Sequence, residues 1–297
     1  MAGDQRAVIV GVGGGLRSYE ARGRRILDGY DELELCPSGR GQLLIPWPNR
    51  IADGRYEFND RAHQLPLDEP ERGNAIHGLV RWSEWTIADR APDRVAVEFL
   101  LYPRPGYPFT LALRVEHSLS ADGLAVEIKA TNIGSEPCPY GAGAHPYLAL
   151  DSGADGAELR LPASTVLEAD DRGIPVGQKA VSEAALDFRQ AKPLRGIRLD
   201  HCFTDLARDV DGRVRITVDG TTLWADEAYP YVMVFTGDEL ADVARRSIAI
   251  EPMTCAPNAF RSGHGLIRLE PGESHRGAWG IAPAPKEATA GRAPGSP

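Results

Sequence analysis

The sequence is poor in cysteine and contains no paired cysteine motif. Its four cysteines, Cys36, Cys138, Cys202 and Cys255, are scattered along 297 residues without a C-x-x-C pair. A chain of this length can bury a large apolar core, so it needs no disulfide for its stability. We therefore expect reduced thiols and a cytoplasmic protein.

The sequence also lacks an excess of positive charge and any long apolar run. It has 33 Lys and Arg against 42 Asp and Glu, which gives a formal net charge of −9 at pH 7. This balance argues against a nucleic acid partner, because phosphates attract basic surfaces. No segment approaches the roughly 20 apolar residues of a membrane-spanning helix, and the N-terminus does not resemble a secretory leader. We expect neither nucleic acid nor membrane as a partner.

Signatures of several enzyme classes are missing too. The sequence has no G-x-S-x-G, no G-x-x-x-x-G-K and no H-E-x-x-H. The glycine-rich stretch Gly11–Leu16 matches a dinucleotide loop poorly, because Leu16 stands where a third glycine is needed, so it predicts a turn between two strands. Asp151 lies in an aspartic-protease-like stretch that occurs once, whereas that chemistry needs two carboxylates, so we interpret it as a turn residue. We predict no cofactor and no metal site.

What the sequence has in abundance is turns between short β-like segments. The 32 Gly and 23 Pro separate windows such as Val95–Leu101, Thr110–Leu119 and Leu124–Thr131, in which apolar and polar residues alternate. Alternation with this period predicts antiparallel strands with one buried face. Asp-Gly pairs at 53–54, 122–123 and 219–220 are typical of hairpin turns.

Helix is predicted to be a minor component. Only Ser182–Gln190 and Asp238–Arg246 could form short helices, and the second could equally be a loop. The pattern predicts one all-β domain over residues 1–282. Residues 283–297 have low complexity and nothing to bury, so we expect a disordered and dispensable tail.

A few polar residues stand in contexts that suit catalysis. The apolar run Ser247–Ile250 predicts a buried strand that ends on Glu251, and Pro252 stiffens the backbone behind this carboxylate. His77, His145 and His201 lie in loop-like contexts beside turn-forming residues. A single His is more often structural, but a His and a Glu across a pocket form a simple acid/base couple.

The aromatic residues suggest a ligand class. Trp47, Trp82, Trp85, Tyr147 and Trp279 mostly flank polar loop residues rather than lying inside strands. Aromatic faces beside polar donors and acceptors are what a sugar-binding cleft requires. Ordinary core packing is the alternative, and we expect it for at least half of them.

Several short motifs, taken in order, resemble those of the aldose 1-epimerase (galactose mutarotase) family. They run from about residue 10 to residue 282, and the Trp-Pro-Asn-Arg form of the first is similar to a less-characterised bacterial branch of the family. The resemblance implies a large antiparallel β supersandwich. The motifs are Pro46–Ile51 with Asp53–Phe58, Asn74–Gly78 with Arg81-Trp82, Gly143–Tyr147, Leu199–Phe203 and Glu251–Thr254.

The resemblance also implies roles for individual residues. Glu251 would be the general base, His145 the general acid, and His77 a partner that binds or polarises the sugar near its ring oxygen. The remaining positions would contact the sugar, and these are Arg50 and Asp200, which would hold hydroxyls, together with Asn49, Trp82 and Tyr147. The implied activity is interconversion of the α and β anomers of a free aldose, with a monosaccharide as partner, no cofactor, and a monomer or weak homodimer.

Two alternatives from other classes remain open. A catalytically silent carbohydrate-binding protein would use the same aromatic and hydroxyl-binding residues, although binding alone needs no acid/base couple. A hexose-6-phosphate 1-epimerase of the same fold would need several arginines converging on the phosphate. In the motifs that contain proposed site residues, the only arginines are Arg50 and Arg81, so we predict a neutral, unphosphorylated aldose.

Overall fold

The structure of the protein is a computed structural model that describes residues 3–284. The predicted tail therefore lies outside the described residues, apart from positions 283 and 284. Over residues 3–284 there are two single-turn α-helices, α1 Gly153–Gly156 and α2 Ala259–Ser262, with 3-10 turns at Pro37–Gly39 and Ala241–Val243. Within the described residues no helix is long and apolar enough to span a membrane.

Nearly all of the regular secondary structure in the described part of the chain is β-strand. In the first half they are β1 Gln5–Ile9, β2 Leu16–Ala21, β3 Arg24–Arg25, β4 Leu43–Leu44, β5 Arg50–Ala52, β6 Arg55–Phe58, β7 Arg61–Gln64, β8 Asn74–Ile76, β9 Thr86–Ala91, β10 Arg94–Leu101, β11 Leu111–Ser120, β12 Gly123–Asn132 and β13 Cys138–Tyr140. In the second half they are β14 Gly143–Ala144, β15 Tyr147–Ala149, β16 Glu158–Arg160, β17 Ala163–Ala169, β18 Pro175–Ala180, β19 Lys192–Pro193, β20 Asp200–Leu206, β21 Val214–Val218, β22 Thr221–Ala225, β23 Tyr231–Phe235, β24 Ser247–Met253, β25 Ile267–Leu269 and β26 Ser274–Ala282.

Two large antiparallel sheets dominate the molecule. Sheet I has nine strands in the order β19-β16-β21-β22-β26-β12-β11-β10-β9. Sheet II has eight, in the order β18-β17-β20-β23-β24-β14-β4, with β15 paired to β24 beside β14. One continuous cluster of buried apolar residues includes members of both sheets, such as Val115 and Ile128 from sheet I and Val232 and Ile250 from sheet II. This arrangement confirms the all-β, antiparallel prediction.

Sheet I follows the alternation in the sequence closely. Along β11 every second residue from Leu111 to Leu119 is buried, and β12 pairs with β11 over its whole length. Apolar side chains on one face pack into the core, while polar side chains on the other face reach solvent. The glycine-rich stretch after β1 is a turn into its antiparallel partner β2, as predicted.

The strand that carries Glu251 differs from the prediction. The sequence predicts a strand that ends on Glu251, whereas β24 continues through Glu251 and Pro252 to Met253, and every residue in it is buried. Proline fits inside this strand because the ladder on one side is interrupted there. Ala249 pairs with Tyr147 of β15 and Met253 pairs with Gly143 of β14, so no regular pairing on that side spans the residues between them.

Other local predictions were wrong for identifiable reasons. Ser182–Gln190 makes turns rather than a helix, because Ala185 adopts a left-handed φ of 57°. Within Asp238–Arg246 one 3-10 turn forms in a loop, which is the alternative left open for this segment. The Asp53-Gly54 pair links β5 and β6 without making a hairpin, since β5 pairs with β8 and β6 pairs with β7. The hairpin turn lies instead at Asn59-Asp60, both of which have positive φ.

Candidate active site

A cleft of about 560 Å³ opens where β20, β23 and β24 of sheet II meet the loops after β4 and β7. His145 and Glu251 lie at its buried floor, only 5% and 2% exposed. Nε2 of His145 is 3.4 Å from Oε1 of Glu251. His145 lies in the link between β14 and β15, and Glu251 lies in β24 where that strand changes its partner from β15 to β14. The interrupted ladder therefore brings the two groups together.

Burial determines the charge of this pair. Burial raises the pKa of the Glu251 carboxyl well above its usual range, and the nearby charge of Asp200 raises it further, while Arg50 acts in the opposite direction. Burial lowers the pKa of His145 to about 3, and the charges of Arg40, Arg81 and Arg50 add to this effect. Both shifts favour the neutral forms, so burial disfavours an ion pair between the two groups.

The two groups also have unused hydrogen-bonding capacity. Oε2 of Glu251 and Nδ1 of His145 are buried and have no hydrogen-bond partner among the described residues. A buried polar atom without a partner costs about 1–3 kcal/mol. A hydroxyl-bearing ligand at the floor of the cleft could supply the missing partners.

His77 is held beside His145 by an unusual backbone. His77 and Asn49 both have left-handed φ values, 62° and 55°. The N–H of His77 donates to the carbonyl of Asn49, and the N–H of Asn49 donates to Nδ1 of His77 at 3.3 Å. Because Nδ1 accepts a hydrogen bond, the neutral ring carries its proton on Nε2, which can donate to a ligand oxygen. Burial, together with His145, Arg81 and Arg50, lowers the pKa of His77 well below its usual value.

Arg50 is fixed in place by a carboxylate. Its Nε and Nη2 donate to both oxygens of Glu69 at 2.8–3.1 Å, and Asn74 donates to the same carboxylate at 2.8 Å. Gly173 makes room for the guanidinium, because a Cβ there would lie 2.7 Å from Nη1 of Arg50. A two-pronged pair of this kind orients Arg50 without using all five of its N–H groups.

All eight residues predicted for the site line this one cleft: Asn49, Arg50, His77, Trp82, His145, Tyr147, Asp200 and Glu251. Trp82 is 50% exposed, whereas the Tyr147 ring is buried and stacks on His145 with its centroid 5.0 Å away. The roles assigned to these residues stay predictions. His201 does not line the cleft, and Trp47, Trp85 and Trp279 are buried in the core, as ordinary packing requires.

Sequence reasoning missed part of the lining. The loop after β7 contributes Asp68, Glu69, Glu71 and Arg72 from one charged stretch around Pro70, and this run of charge beside a turn was the available signal. Met233, opposite Glu251 in β23, also lines the cleft. Nothing in the sequence shows which face of β23 points there.

Arginines are more numerous in the cleft than predicted. Arg72 joins Arg50 and Arg81 in the lining. Arg81 pairs with Asp68 at 2.6 Å, and Arg72 lies 3.5 Å from Glu239. Across residues 3–284, no group of three or more His, Cys, Asp or Glu is placed to hold a metal ion.

Comparison with known proteins gives a consistent result. The model of the aldose 1-epimerase family matches residues 2–281. The chain is 39% identical over 281 residues to the uncharacterized protein YihR of Escherichia coli K12, which covers 93% of this chain and 89% of that protein. It is 25% identical over 237 residues to the uncharacterized protein YphB of the same organism, covering 78% of this chain and 79% of that one.

Solved structures share the fold at low identity. A GalM/aldose epimerase homologue from C. elegans superimposes with a TM-score of 0.82 at 18% identity, covering 94% of this chain and 96% of that one. Galactose 1-epimerase from Lactobacillus acidophilus superimposes with a TM-score of 0.79 at 19% identity, covering 96% of this chain and 93% of that one. A galactose mutarotase-like protein from Clostridium acetobutylicum superimposes with a TM-score of 0.82 at 21% identity, covering 94% of this chain and 92% of that one. These similarities confirm the predicted supersandwich.

Proposed function

The chain belongs to the aldose 1-epimerase family, and from this premise we propose that it interconverts the α and β anomers of a free aldose by acid/base-catalysed ring opening. The observation that carries the proposal is the 3.4 Å contact between His145 and Glu251 at the floor of the cleft. A protein that only binds sugar has no use for a buried carboxyl and imidazole with strongly shifted pKa values. Such pairs are concentrated at catalytic sites.

The reaction needs one proton acceptor and one proton donor. The acceptor removes the proton of the C1 hydroxyl, the oxygen lone pair forms the C1 carbonyl, and the electrons of the C1–ring oxygen bond pass to the ring oxygen. The donor protonates that oxygen. Rotation about C1–C2 and the reverse proton transfers then close the ring as the other anomer. Protons and electrons balance within the sugar and the pair, so no redox or electrophilic cofactor is required.

A pair with a single proton suits a reaction that runs in both directions. In the free protein burial favours the neutral forms of both groups, so Glu251 can donate first while neutral His145 accepts. After one ring opening the pair holds its proton on the other member, which is the state in which Glu251 is the base and His145 the acid. Each group therefore alternates between the two roles, and the assignment implied by the family describes one half of the cycle.

The remaining cleft residues suit a sugar. Nε2–H of His77 can donate to the ring oxygen or to a hydroxyl, and the guanidinium of Arg50 is oriented by Glu69. The carboxylate of Asp200 can accept from hydroxyl groups. The exposed ring of Trp82 at the cleft can cover a C–H face of the sugar.

A hexose-6-phosphate is the second candidate substrate, and the third arginine in the cleft favours it. The charge balance favours the neutral aldose. Asp68, Glu69, Glu71, Asp200 and Glu239 line the cleft besides Glu251, against three arginines. Arg50, Arg72 and Arg81 each lie beside one of these carboxylates, and a phosphate would have to compete with it.

The test is to measure anomer exchange directly on a panel of fresh hexoses and pentoses, by polarimetry or saturation-transfer NMR. We expect acceleration above the buffer rate for at least one free aldose. No acceleration on any sugar, with binding detected by calorimetry, would support the carbohydrate-binding alternative instead. Including glucose and galactose 6-phosphates at fixed salt decides the substrate class. A preference for a phosphate of about tenfold or more that disappears in Arg81→Gln would contradict the neutral aldose.

A further inference from the structure

A short segment before β4, Gly39–Gln42, surrounds His145. The carbonyl of His145 accepts from the N–H of Gly41 at 2.8 Å, and the N–H of His145 donates to the carbonyl of Gln42 at 3.0 Å. Gly39 lies against the ring, because a Cβ there would be 2.9 Å from Cδ2 of His145. The segment therefore fixes both the backbone and one side of the imidazole.

Arg40, within this segment, contacts the ring of Tyr147, which itself stacks on His145. The carbon at the centre of its guanidinium lies 4.2 Å from the centroid of Tyr147. Tyr147 in turn stacks on His145 at an interplanar angle of 7°. Arg40 is 2% exposed, and its Nε and Nη1 are buried without a hydrogen-bond partner among the described residues. The face of the Tyr147 ring offers this cation an electrostatic interaction in place of those bonds.

A buried carboxylate holds Arg40 in that position. Asp28, also 2% exposed, pairs with Nη2 of Arg40 at 3.3 Å and with Arg246 at 3.0 Å. One carboxylate thus serves two arginines, of which Arg246 is about half exposed and Arg40 is fully buried. Burying a charged arginine costs desolvation free energy, and Arg40 uses only part of its hydrogen-bonding capacity. Stability alone therefore does not explain its position.

We propose that Arg40 is a positioning residue of the anomer-exchange reaction: clamped by Asp28, it presses Tyr147 flat against His145 and so holds the imidazole towards Glu251. The proposal rests on the function proposed above. Tyr147, which contacts both the guanidinium and the imidazole, then acts as a support for His145 rather than as a sugar contact. The Tyr147 hydroxyl donates to the carbonyl of Ser38 at 3.2 Å, which fixes the hydroxyl end of the ring.

The same placement has an electrostatic consequence. The groups that act on His145 are Glu251 and His77 in contact with it, and the positive charges of Arg40, Arg81 and Arg50. After burial, these three charges lower the pKa of His145. Removing the charge of Arg40 should therefore let His145 accept a proton at higher pH. Removing the charge of Arg246, which also pairs with Asp28, should leave the pKa of His145 unchanged.

The chain supplies a matched control for this test. Arg40→Met and Arg246→Met each remove one of the two arginines that pair with Asp28, but only Arg40 lies on Tyr147. Asp28 keeps one arginine in either variant, so we expect both to fold, which thermal melting would check. Arg40→Lys is the third variant, because it keeps the charge but cannot lie flat on the ring as a guanidinium does.

Two readouts separate positioning from stability. The first is an NMR titration of the His145 side chain in the free protein, and the second is kcat and KM for anomer exchange on the best aldose of the panel. We expect Arg40→Met to raise the titration midpoint of His145 and to lower kcat about tenfold with KM changed less than about twofold. Arg40→Lys should lower kcat while leaving the midpoint low. Arg246→Met should match the wild type in both.

The proposal would be overturned if Arg40→Met had the same kcat and the same His145 titration midpoint as the wild type. It would also be overturned if Arg40→Met and Arg246→Met had equal effects. The NMR titration needs no substrate. If no sugar is turned over, the proposed function fails, yet the midpoint in Arg40→Met still shows whether Arg40 acts on His145.

Discussion

Sheet I and sheet II differ in how regularly their strands pair, and the candidate site lies in the irregular one. In sheet I, β11 and β12 pair over ten residues without interruption, and their side chains alternate between core and solvent. In sheet II, β24 is buried at every position and is flanked on one side by the two short strands β14 and β15. An uninterrupted ladder leaves no gap beside it, whereas the break in sheet II admits a carboxyl and an imidazole.

Two buried histidines make the difference concrete. His117 occupies a core-facing position of β11, and its Nε2 lies 3.1 Å from the carbonyl of Gly14. Burial lowers its pKa to about 4, close to the value of about 3 for His145. The same desolvation thus acts in both sheets. Of these two histidines, His145 is the one with a carboxyl group in contact, 3.4 Å away on Glu251, so a shifted pKa alone does not identify a catalytic group.

The largest expected effect is loss of activity in Glu251→Gln. The amide keeps the shape of the neutral carboxyl but cannot take up or release the proton, so we expect kcat/KM for anomer exchange to fall about 10³-fold. The melting temperature at pH 7 should hardly change. The matched control in sheet I is Glu127→Gln, which affects a partly exposed carboxylate 3.4 Å from Arg276. A rate in Glu251→Gln within tenfold of the control would contradict the role of Glu251.

A smaller loss is expected for His145→Ala, about 10²-fold in kcat/KM, because Glu251 remains as one proton-transfer group. The comparison variant is His117→Gln, which should leave the rate within about twofold of the wild type. Enzyme kinetics on both variants, at matched folded concentration, would test whether the sheets differ as proposed. Equal losses in the two variants would remove the distinction between a catalytic and a structural buried histidine.

The smallest effect is expected for the stability of His117→Gln at neutral pH. In acid the same variant should show a distinct effect on stability. The folded pKa of His117, about 4, lies below the ordinary value of about 6.5, so the fold prefers the neutral ring. Its contribution is fully present above pH 6.5 and is lost as the pH falls towards 4, by up to about 3 kcal/mol. Chemical denaturation at pH 7 and pH 4.5 should therefore show a smaller acid-induced loss of unfolding free energy in His117→Gln. An identical loss in the wild type and the variant would show that His117 is not responsible.

The sequence predicted sheet I well, because its strands alternate and their turns contain Asp-Gly. It predicted β24 less well. A strand buried on both faces shows no alternation of apolar and polar residues, and Pro252 suggested that the strand ends at Glu251. The roles of the eight site residues came from motif resemblance rather than from periodicity, and all eight residues line one cleft. Arg72 and Met233 were missed for a physical reason: the first lies in a loop that only the fold brings to the cleft, and the second required the pairing register of β23.

The most direct test of the shared-proton pair is the pH dependence of kcat/KM for anomer exchange by the wild-type protein, after subtraction of the buffer-catalysed rate. The pKa of His145 is about 3 and that of Glu251 is raised well above its usual range, and both shifts favour a neutral pair. We predict that kcat/KM changes less than about twofold from pH 7 to pH 5. A sigmoidal loss with a midpoint near 6.5, the ordinary value for histidine, would show that the imidazole titrates freely and would contradict the neutral pair.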